Sequence, residues 1–439
     1  MKRFTAIIAV IIVLVMCSTG CSAIGDTFNK AGSNIFGARS QKFKRVEYPD
    51  IYSNYIAADS EDAYALLESD MQRKAYRAIY EGLFCITSEE GFEKGTYKIK
   101  NIIIPDISAS EIYKVKEAVL CDHPEIFWVN SQYSLDYNFR DGDYIIFYSN
   151  DDYDTVSAKA QAIAAELSIL LGKVPADLDQ YGRERLVHDL LVSTAEYDTA
   201  AAADNKKYPD AYCIYGFFVN KKAVCSGYAP AVKLMLNRVG LTCRTVNGTC
   251  GGTGHMWNIV QIDDKWYQLD VTQDDPVVKN SSGLIYYDYF NLTDKQIKTD
   301  HKFGADFSEL TDEMIYAENY TGPEFFNFTL PKCNSNIANF YEINAIKIKS
   351  LDYSALKDFS AWVSSVLEGG ESVVYIMFDP SIEPADIRSW LCDGELCAIN
   401  RAVTRFINTH PGADHPSSYD VYFSSVKMWN NVYTVSFYF

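Results

Sequence analysis

Three residue types stand in an order that could carry out covalent chemistry. A cysteine lies in Ala223-Val224-Cys225-Ser226-Gly227-Tyr228-Ala229-Pro230, a histidine in Gly254-His255-Met256-Trp257-Asn258, and an aspartate in Trp266-Tyr267-Gln268-Leu269-Asp270-Val271. A thiol attacks a carbonyl only after losing its proton, and a histidine that takes this proton works best when a carboxylate orients it. Cys225 as nucleophile, His255 as base and Asp270 as orienter would supply those parts.

The elements around them must bring them together. Ala231, Val232, Leu234, Met235, Leu236 and Val239 recur at helical spacing, and Gly240 follows as a terminator. Proline is tolerated in the first turn, where backbone N–H groups have no intrahelical partner. Pro230 therefore predicts a helix starting at about Ser226, with Cys225 at or beside the cap. There the unpaired N–H groups and the positive end of the helix dipole favour thiolate over thiol. Gly227 permits close approach of backbone or substrate. A cysteine elsewhere would as readily be a small buried hydrophobe.

His255 and Asp270 flank a hairpin signal, two aromatic and β-branched runs around Asp263-Asp264. With a two-residue loop, Ile262 pairs with Lys265 and Trp257 with Asp270. His255 then shares a sheet face with Asp270, one diagonal step away, at roughly 7–8 Å between α-carbons. A three-residue loop would put them on opposite faces.

Cys-x-Gly-Tyr-Ala before an apolar helix, His-x-Trp-Asn-x-Val, and Trp-Tyr-x-Leu-Asp-Val-Thr together resemble the core of the transglutaminase-like superfamily, in its bacterial exported, cysteine-protease-like form. The resemblance covers roughly Arg185 to His301. It implies an α+β, papain/transglutaminase-like core, in which the nucleophile helix packs on an antiparallel sheet. It also implies a Cys225–His255–Asp270 triad. The Cys225 backbone N–H would form part of an oxyanion hole, with an aromatic hydroxyl such as Tyr215 as a second donor. Tyr228 and Trp257 are further cleft candidates. His188 and His301 read as packed or polar-network residues. Where the family often has tryptophan after Val271-Thr272, Gln273 stands here, which bears on the cleft wall and not on the triad. Asp274 and Asp275 lack a spaced calcium loop, so neither metal nor cofactor is expected.

The remainder of the chain sets the context. At 439 residues it is longer than one core usually holds. Net charge is −18, with no basic run of five, which argues against nucleic acid as a partner. Lys2-Arg3, the apolar run Ala6 to Met16, and Ser18-Thr19-Gly20-Cys21 resemble a bacterial lipoprotein signal, with Cys21 as the lipidated residue. This implies a membrane-anchored chain on the extracytoplasmic face, acting on a peptide or protein substrate, with the cell wall as one source. Eleven cysteines without a C-x-x-C pair give neither a zinc site nor a redox motif.

The expected order is a signal peptide over 1–20, a lipidated tether over 21–58, an N-terminal α+β domain over 59–153, a catalytic domain over 154–330, and a small C-terminal α/β domain over 335–439. Helices are predicted over Ser60–Leu83, Ser108–Leu120, Asp154–Leu171, Tyr181–Leu191, Tyr353–Leu367 and Ala385–Asn408. Strands are predicted over Tyr97–Ile104, Phe340–Ile348 and Ser372–Phe378, with a closing hairpin of Asp420–Met428 and Asn431–Phe439 joined around Trp429-Asn430.

Two functional classes follow. One is an amide-directed cysteine enzyme, hydrolysing peptide or isopeptide bonds or transferring a glutamine acyl group, with hydrolysis favoured because water is abundant outside the cell. The alternative is a non-catalytic surface-binding module on the same fold, which an intact triad opposes.

Overall fold

The structure is a computed structural model. It describes residues 42–47, 61–91, 93–136, 144–275, 284–316, 322–423 and 431–439. The expected signal peptide, the lipidation residue Cys21, nearly all of the tether and the Trp429-Asn430 turn lie outside these residues. Among the described residues, no helix is long and apolar enough to cross a membrane.

The chain forms two compact units that do not follow sequence order. Among the described residues, the first unit gathers those of 42–47, 70–107 and 128–156, and the second those of 61–69, 108–127 and 157–439. The expected stretch 59–153 is thus shared between them.

The first unit is built on a six-stranded sheet. Its strands run in the order Phe43–Arg45, Cys85–Glu90, Tyr97–Ile99, Tyr144–Ser149 and Ile102–Ile103, and Val129–Asp136 also pairs with Tyr144–Ser149. The helix Asp70–Leu83 buries Ala75, Tyr76, Ile79, Gly82 and Leu83, one stripe at helical spacing. The single helix expected over Ser60–Leu83 is in fact two, Asp62–Ala65 and Asp70–Leu83. The short first piece starts where Asp122 accepts hydrogen bonds from the Ala63 and Tyr64 N–H groups, both at 2.9 Å. Those bonds satisfy first-turn donors that have no partner within the helix.

In the second unit, helix Ala109–Asp122 opens with a capping box between Ser108 and Glu111. Helices Tyr153–Leu171 and Gln180–Val192 form close to their expected bounds. A four-stranded antiparallel sheet carries the motifs, in the order Lys265–Leu269, Thr253–Ile262, Cys243–Cys250, His301–Phe303. The helix that carries the motif cysteine, Cys225–Arg238, packs on it and is buried at Gly227–Ala229 and through Ala231–Asn237.

A second four-stranded sheet closes the chain, in the order Ile346–Ile348, Val373–Phe378, Val432–Tyr438, Ser418–Phe423. Its first pair is parallel, and helix Tyr353–Glu368 supplies the crossover. Two expectations fail here. Phe340–Ile348 is not one strand: Phe340–Asn344 is helical and only Ile346–Ile348 extended. Asn339 caps that helix by accepting from the Tyr341 and Glu342 N–H groups, and the Phe340 ring stacks on Tyr287 with centroids 3.5 Å apart. Ala385–Asn408 divides into Pro384–Cys392 and Ala398–Thr409, and Gly394 between them has φ +81, outside the helical region.

Candidate active site

The nucleophile helix begins at Cys225, with Val224 as its extended cap (φ −99, ψ 178). The Val224 carbonyl accepts from the Gly227 and Tyr228 N–H groups at 2.8 and 3.1 Å. The start is one residue earlier than expected, so Pro230 falls inside the helix and leaves the Ser226 carbonyl without its usual donor four residues on. Cys225 is part-exposed at the end of a mostly buried rod. Gly227 is there for backbone packing: a β-carbon would lie 2.8 Å from that of Ala223 and 2.9 Å from the Ala211 carbonyl oxygen. Leu241 N–H closes the far end onto the Leu236 carbonyl at 2.9 Å.

The hairpin adopts the two-residue loop. Asp263 and Asp264 both have positive φ (47 and 63), the conformation whose twist matches paired strands. Ile262 pairs with Lys265, and the register runs to Asn258 opposite Leu269. Pairing stops one residue short of Asp270, whose N–H turns to the Tyr289 carbonyl at 3.1 Å. On the other side of the histidine strand, His255 pairs with Gly248. A β-carbon on Gly248 would sit 2.0 Å from the Lys302 carbonyl oxygen and 3.0 Å from the Trp257 ring, so glycine is required for the strands to close beside His255.

This register brings His255 and Asp270 together. The imidazole Nε2 is 2.6 Å from Asp270 Oδ2, and both side chains are buried. Asp270 Oδ1 accepts from the Thr272 and Gln273 N–H groups at 3.1 and 3.2 Å. Gln273 thus serves the carboxylate through its backbone, a contribution independent of its side chain. With Nε2 on Asp270, Nδ1 is the nitrogen left for a second partner, and Cys225 lies near enough to favour the charged form of the same imidazole. Burial disfavours the imidazolium, but the charge and hydrogen bond of Asp270, together with Cys225, outweigh it and push His255 up to about 10. Burial likewise raises Asp270, yet the charge of His255 and the hydrogen bonds of His255 and His301 hold it well below the usual carboxylate range.

The motif residues around the triad hold it in place. Trp257 is fully buried, stacks near-parallel to the His255 ring (centroids 6.0 Å apart, 16°), and donates its indole N–H to Gln268 Oε1 at 2.8 Å. Asn258 donates to the Ala229 carbonyl at 2.9 Å, tying the histidine strand to the nucleophile helix. Tyr228 is buried beneath the helix, with its hydroxyl on Asp275 at 2.6 Å. Tyr215 stacks against Phe127 and lies under Lys159 Nζ, 4.8 Å from the ring centroid. Two further tyrosines, Tyr197 and Tyr212, feel the charge of Cys225. Burial raises both hydroxyls, and proximity to Cys225 raises them further; Tyr197 also feels Asp270. The Tyr212 hydroxyl donates to the Ala201 carbonyl at 2.9 Å.

His188 is buried between Asp189 (3.0 Å) and Asp274 (3.2 Å). His301 is buried against the triad itself, with Nε2 3.0 Å from Asp270 Oδ2 and Nδ1 2.5 Å from Asp300 Oδ1. Burial opposes its protonation, but the two carboxylates, with Cys250, push it up to about 11. Among the described residues, two groups have ligand atoms within 4.8 Å of one another, His255 with Asp270 and His301, and Cys250 with Asp300 and His301. Their histidine nitrogens and carboxylates already serve one another as hydrogen-bond partners.

Residues 171–271 match the family model of the transglutaminase-like superfamily, so the chain carries a domain of that superfamily, and the matched stretch includes Cys225, His255 and Asp270. The kyphoscoliosis peptidase of Homo sapiens is 27% identical over 142 residues, covering 29% of this chain and 21% of that protein. Its Mus musculus counterpart is 26% identical over 142 residues with the same coverage. The chain thus spans about a fifth of the length of these curated relatives. Among solved structures, a crystal structure of a TGase aligns over 35% of this chain and 46% of its own, with 17% identity and a TM-score of 0.25. A protein from Cytophaga hutchinsonii, provisionally described as a cysteine protease, aligns over 32% and 62%, with 9% identity and a TM-score of 0.22.

Proposed function

We propose that this protein is an exported cysteine enzyme that acts on amide bonds, with Cys225 as nucleophile, His255 as general base and acid, and Asp270 as orienting carboxylate. The observation that carries the reading is the imidazole of His255, hydrogen-bonded to Asp270 at 2.6 Å and engaged by Cys225 at the head of a buried helix.

The chemistry follows from those positions. Asp270 accepts a hydrogen bond from Nε2–H and stays ionised, which fixes the tautomer with Nδ1 available to take the Cys225 proton. The sulfur then attacks the carbonyl carbon, a C–S bond forms, and negative charge collects on the oxygen beside the Cys225 N–H. Collapse breaks the C–N bond, and His255 gives its proton to the departing amine or ammonia. His255 next takes a proton from water or an acceptor amine, which attacks the thioester. The C–S bond breaks and the sulfur recovers the proton from the imidazolium. Hydrolysis is the favoured branch, with a peptide or protein as substrate. Tyr215 is the candidate hydroxyl donor to the oxyanion, and Tyr197, whose hydroxyl feels the charge of both Cys225 and Asp270, is a second one. Lipid attachment at Cys21 on the extracytoplasmic face rests on the N-terminal sequence pattern alone.

The test compares the chain from Ser22 onward with its Cys225→Ala variant. Iodoacetamide labelling across pH is read by mass spectrometry, alongside ammonia release and cleavage in a glutamine-peptide library. Selective labelling of Cys225 well below pH 8, with cleavage or ammonia release lost in Cys225→Ala, is expected. Labelling at the rate of an ordinary thiol, with no peptide turned over, would sink the reading.

A further inference from the structure

A triad carboxylate usually serves one histidine, and here it serves two. Asp270 Oδ2 lies 2.6 Å from His255 Nε2 and 3.0 Å from His301 Nε2. The two imidazoles meet edge to face, with centroids 5.3 Å apart. His301 comes from a different strand, His301–Phe303, paired with the end of Cys243–Cys250, so the arrangement does not arise from local sequence. Its other nitrogen is held by Asp300 at 2.5 Å, and the Tyr289 hydroxyl donates to Asp300 Oδ2 at 2.6 Å. Cys250, opposite His301 in the ladder, is the remaining titratable group on this ring. The His301 ring also rests against Trp257, whose own ring stacks on His255.

We infer that His301 is a positioning residue for the proposed reaction: it shares Asp270 Oδ2 with His255 and limits how strongly that carboxylate can hold the His255 proton. The inference rests on the triad reading. Two physical effects follow. Without the second donor, Asp270 Oδ2 gives its hydrogen-bonding capacity to His255 while Oδ1 stays on the Thr272 and Gln273 N–H groups, so the His255 proton is held more tightly. Without the positive charge that two carboxylates favour on His301, loss of the first proton from the Cys225–His255 pair becomes harder, because a nearby cation has been removed. His301 reaches no substrate atom in this account and acts through Asp270.

The decisive comparison uses His301→Phe, which keeps the ring and loses both nitrogens, and His301→Gln, which keeps a neutral N–H donor. Alkylation of Cys225 is followed against pH, and imidazole titrations are followed by nitrogen-15 NMR on histidine-labelled protein. In His301→Phe, the neutral-pH alkylation rate is expected to fall about tenfold and the acid limb to move up by about one pH unit. His301→Gln is expected to recover most of the rate while keeping the displaced limb, since it restores the hydrogen bond and not the charge. A packing role would lower melting temperature without moving the limb, and Phe and Gln would then behave alike; that result overturns the inference. If Cys225 proves unreactive in the wild type, the triad reading fails. The NMR titration then decides the inference separately, because His301→Phe must still displace the His255 titration. Should His301→Phe fail to fold, His301→Gln carries the test alone, since it also removes the charge; an unmoved limb in a folded His301→Gln protein would also overturn the inference.

Discussion

The indole N–H of Trp257 donates to the side-chain carbonyl of Gln268 at 2.8 Å, across two strands and in a fully buried setting. Gln268 is aimed by its amide, which donates to Asp294 at 2.9 Å. This polar strut fixes the indole, and the indole faces the His255 ring. Gln268→Leu would leave the Trp257 donor and an Asp294 oxygen without that partner. We expect a loss of about 2–3 kcal/mol in unfolding free energy, read by urea denaturation.

Asp270→Asn keeps the shape of the orienting group and removes its charge. An amide can present N–H where His255 needs an acceptor, favouring the wrong tautomer. Cys225 alkylation or peptide turnover at neutral pH should fall on the order of 10³-fold with the fold intact, whereas Cys225→Ala abolishes both. An Asp270→Asn protein retaining wild-type rates would remove Asp270 from the mechanism.

The loop that sets the register is directly testable. Asp263 and Asp264 occupy left-handed backbone conformations that glycine adopts with less strain. Asp264→Gly should stabilise the protein by up to about 1 kcal/mol in thermal melts. Inserting one residue between the two aspartates should instead turn His255 away from Asp270 and abolish Cys225 activation. An active insertion variant would contradict the register argument.

Glu184 gives a pH prediction away from the thiol. It is fully buried, with Oε2 taking the Asn291 amide at 2.7 Å. Burial is the dominant cause, only partly offset by Asn291 and His188, and pushes it up to about 8 from 4.5. The folded state therefore keeps a proton that the unfolded chain loses above pH 4.5. This contribution is fully present below that pH and is lost as pH rises through about 8. Glu184→Gln, which stays neutral, should match the wild type near pH 5 and melt higher near pH 8.5. Equal melting shifts at both pH values would place the ionisation elsewhere.

Much of the candidate site was legible because it depends on short-range rules. Side-chain alternation and a two-residue polar turn sufficed to put His255 and Asp270 on one face. Pro230 and Gly240 bracketed the nucleophile helix to within a residue. The parts that escaped depend on partners distant in sequence. The period that runs through Ser60–Leu83 gives no sign that Asp122 will cap a separate turn at Ala63 and Tyr64. Phe340 and Tyr341 are strand-favouring types, yet a capping Asn339 and a stack with Tyr287 make them helical. His301 could be read only as a polar-network residue, since its bond to Asp270 spans 31 positions. Tyr197 and Tyr212 carried no local mark separating them from Tyr215.

The interleaving of the two compact units has a consequence for how the chain reaches this state. Residues 61–69 and 108–127 leave the ribosome long before the sheet they belong with, and Arg244 pairs with Asp62 across 182 positions. Until residues beyond 157 emerge, helix Ala109–Asp122 lacks the rest of its unit and its apolar face stays wet. Such long-range closure predicts slow, late folding of the catalytic unit. A nascent chain halted before Asp270 would hold Cys225 and His255 without that carboxylate, so under the proposed mechanism Cys225 becomes reactive only once synthesis has passed that residue.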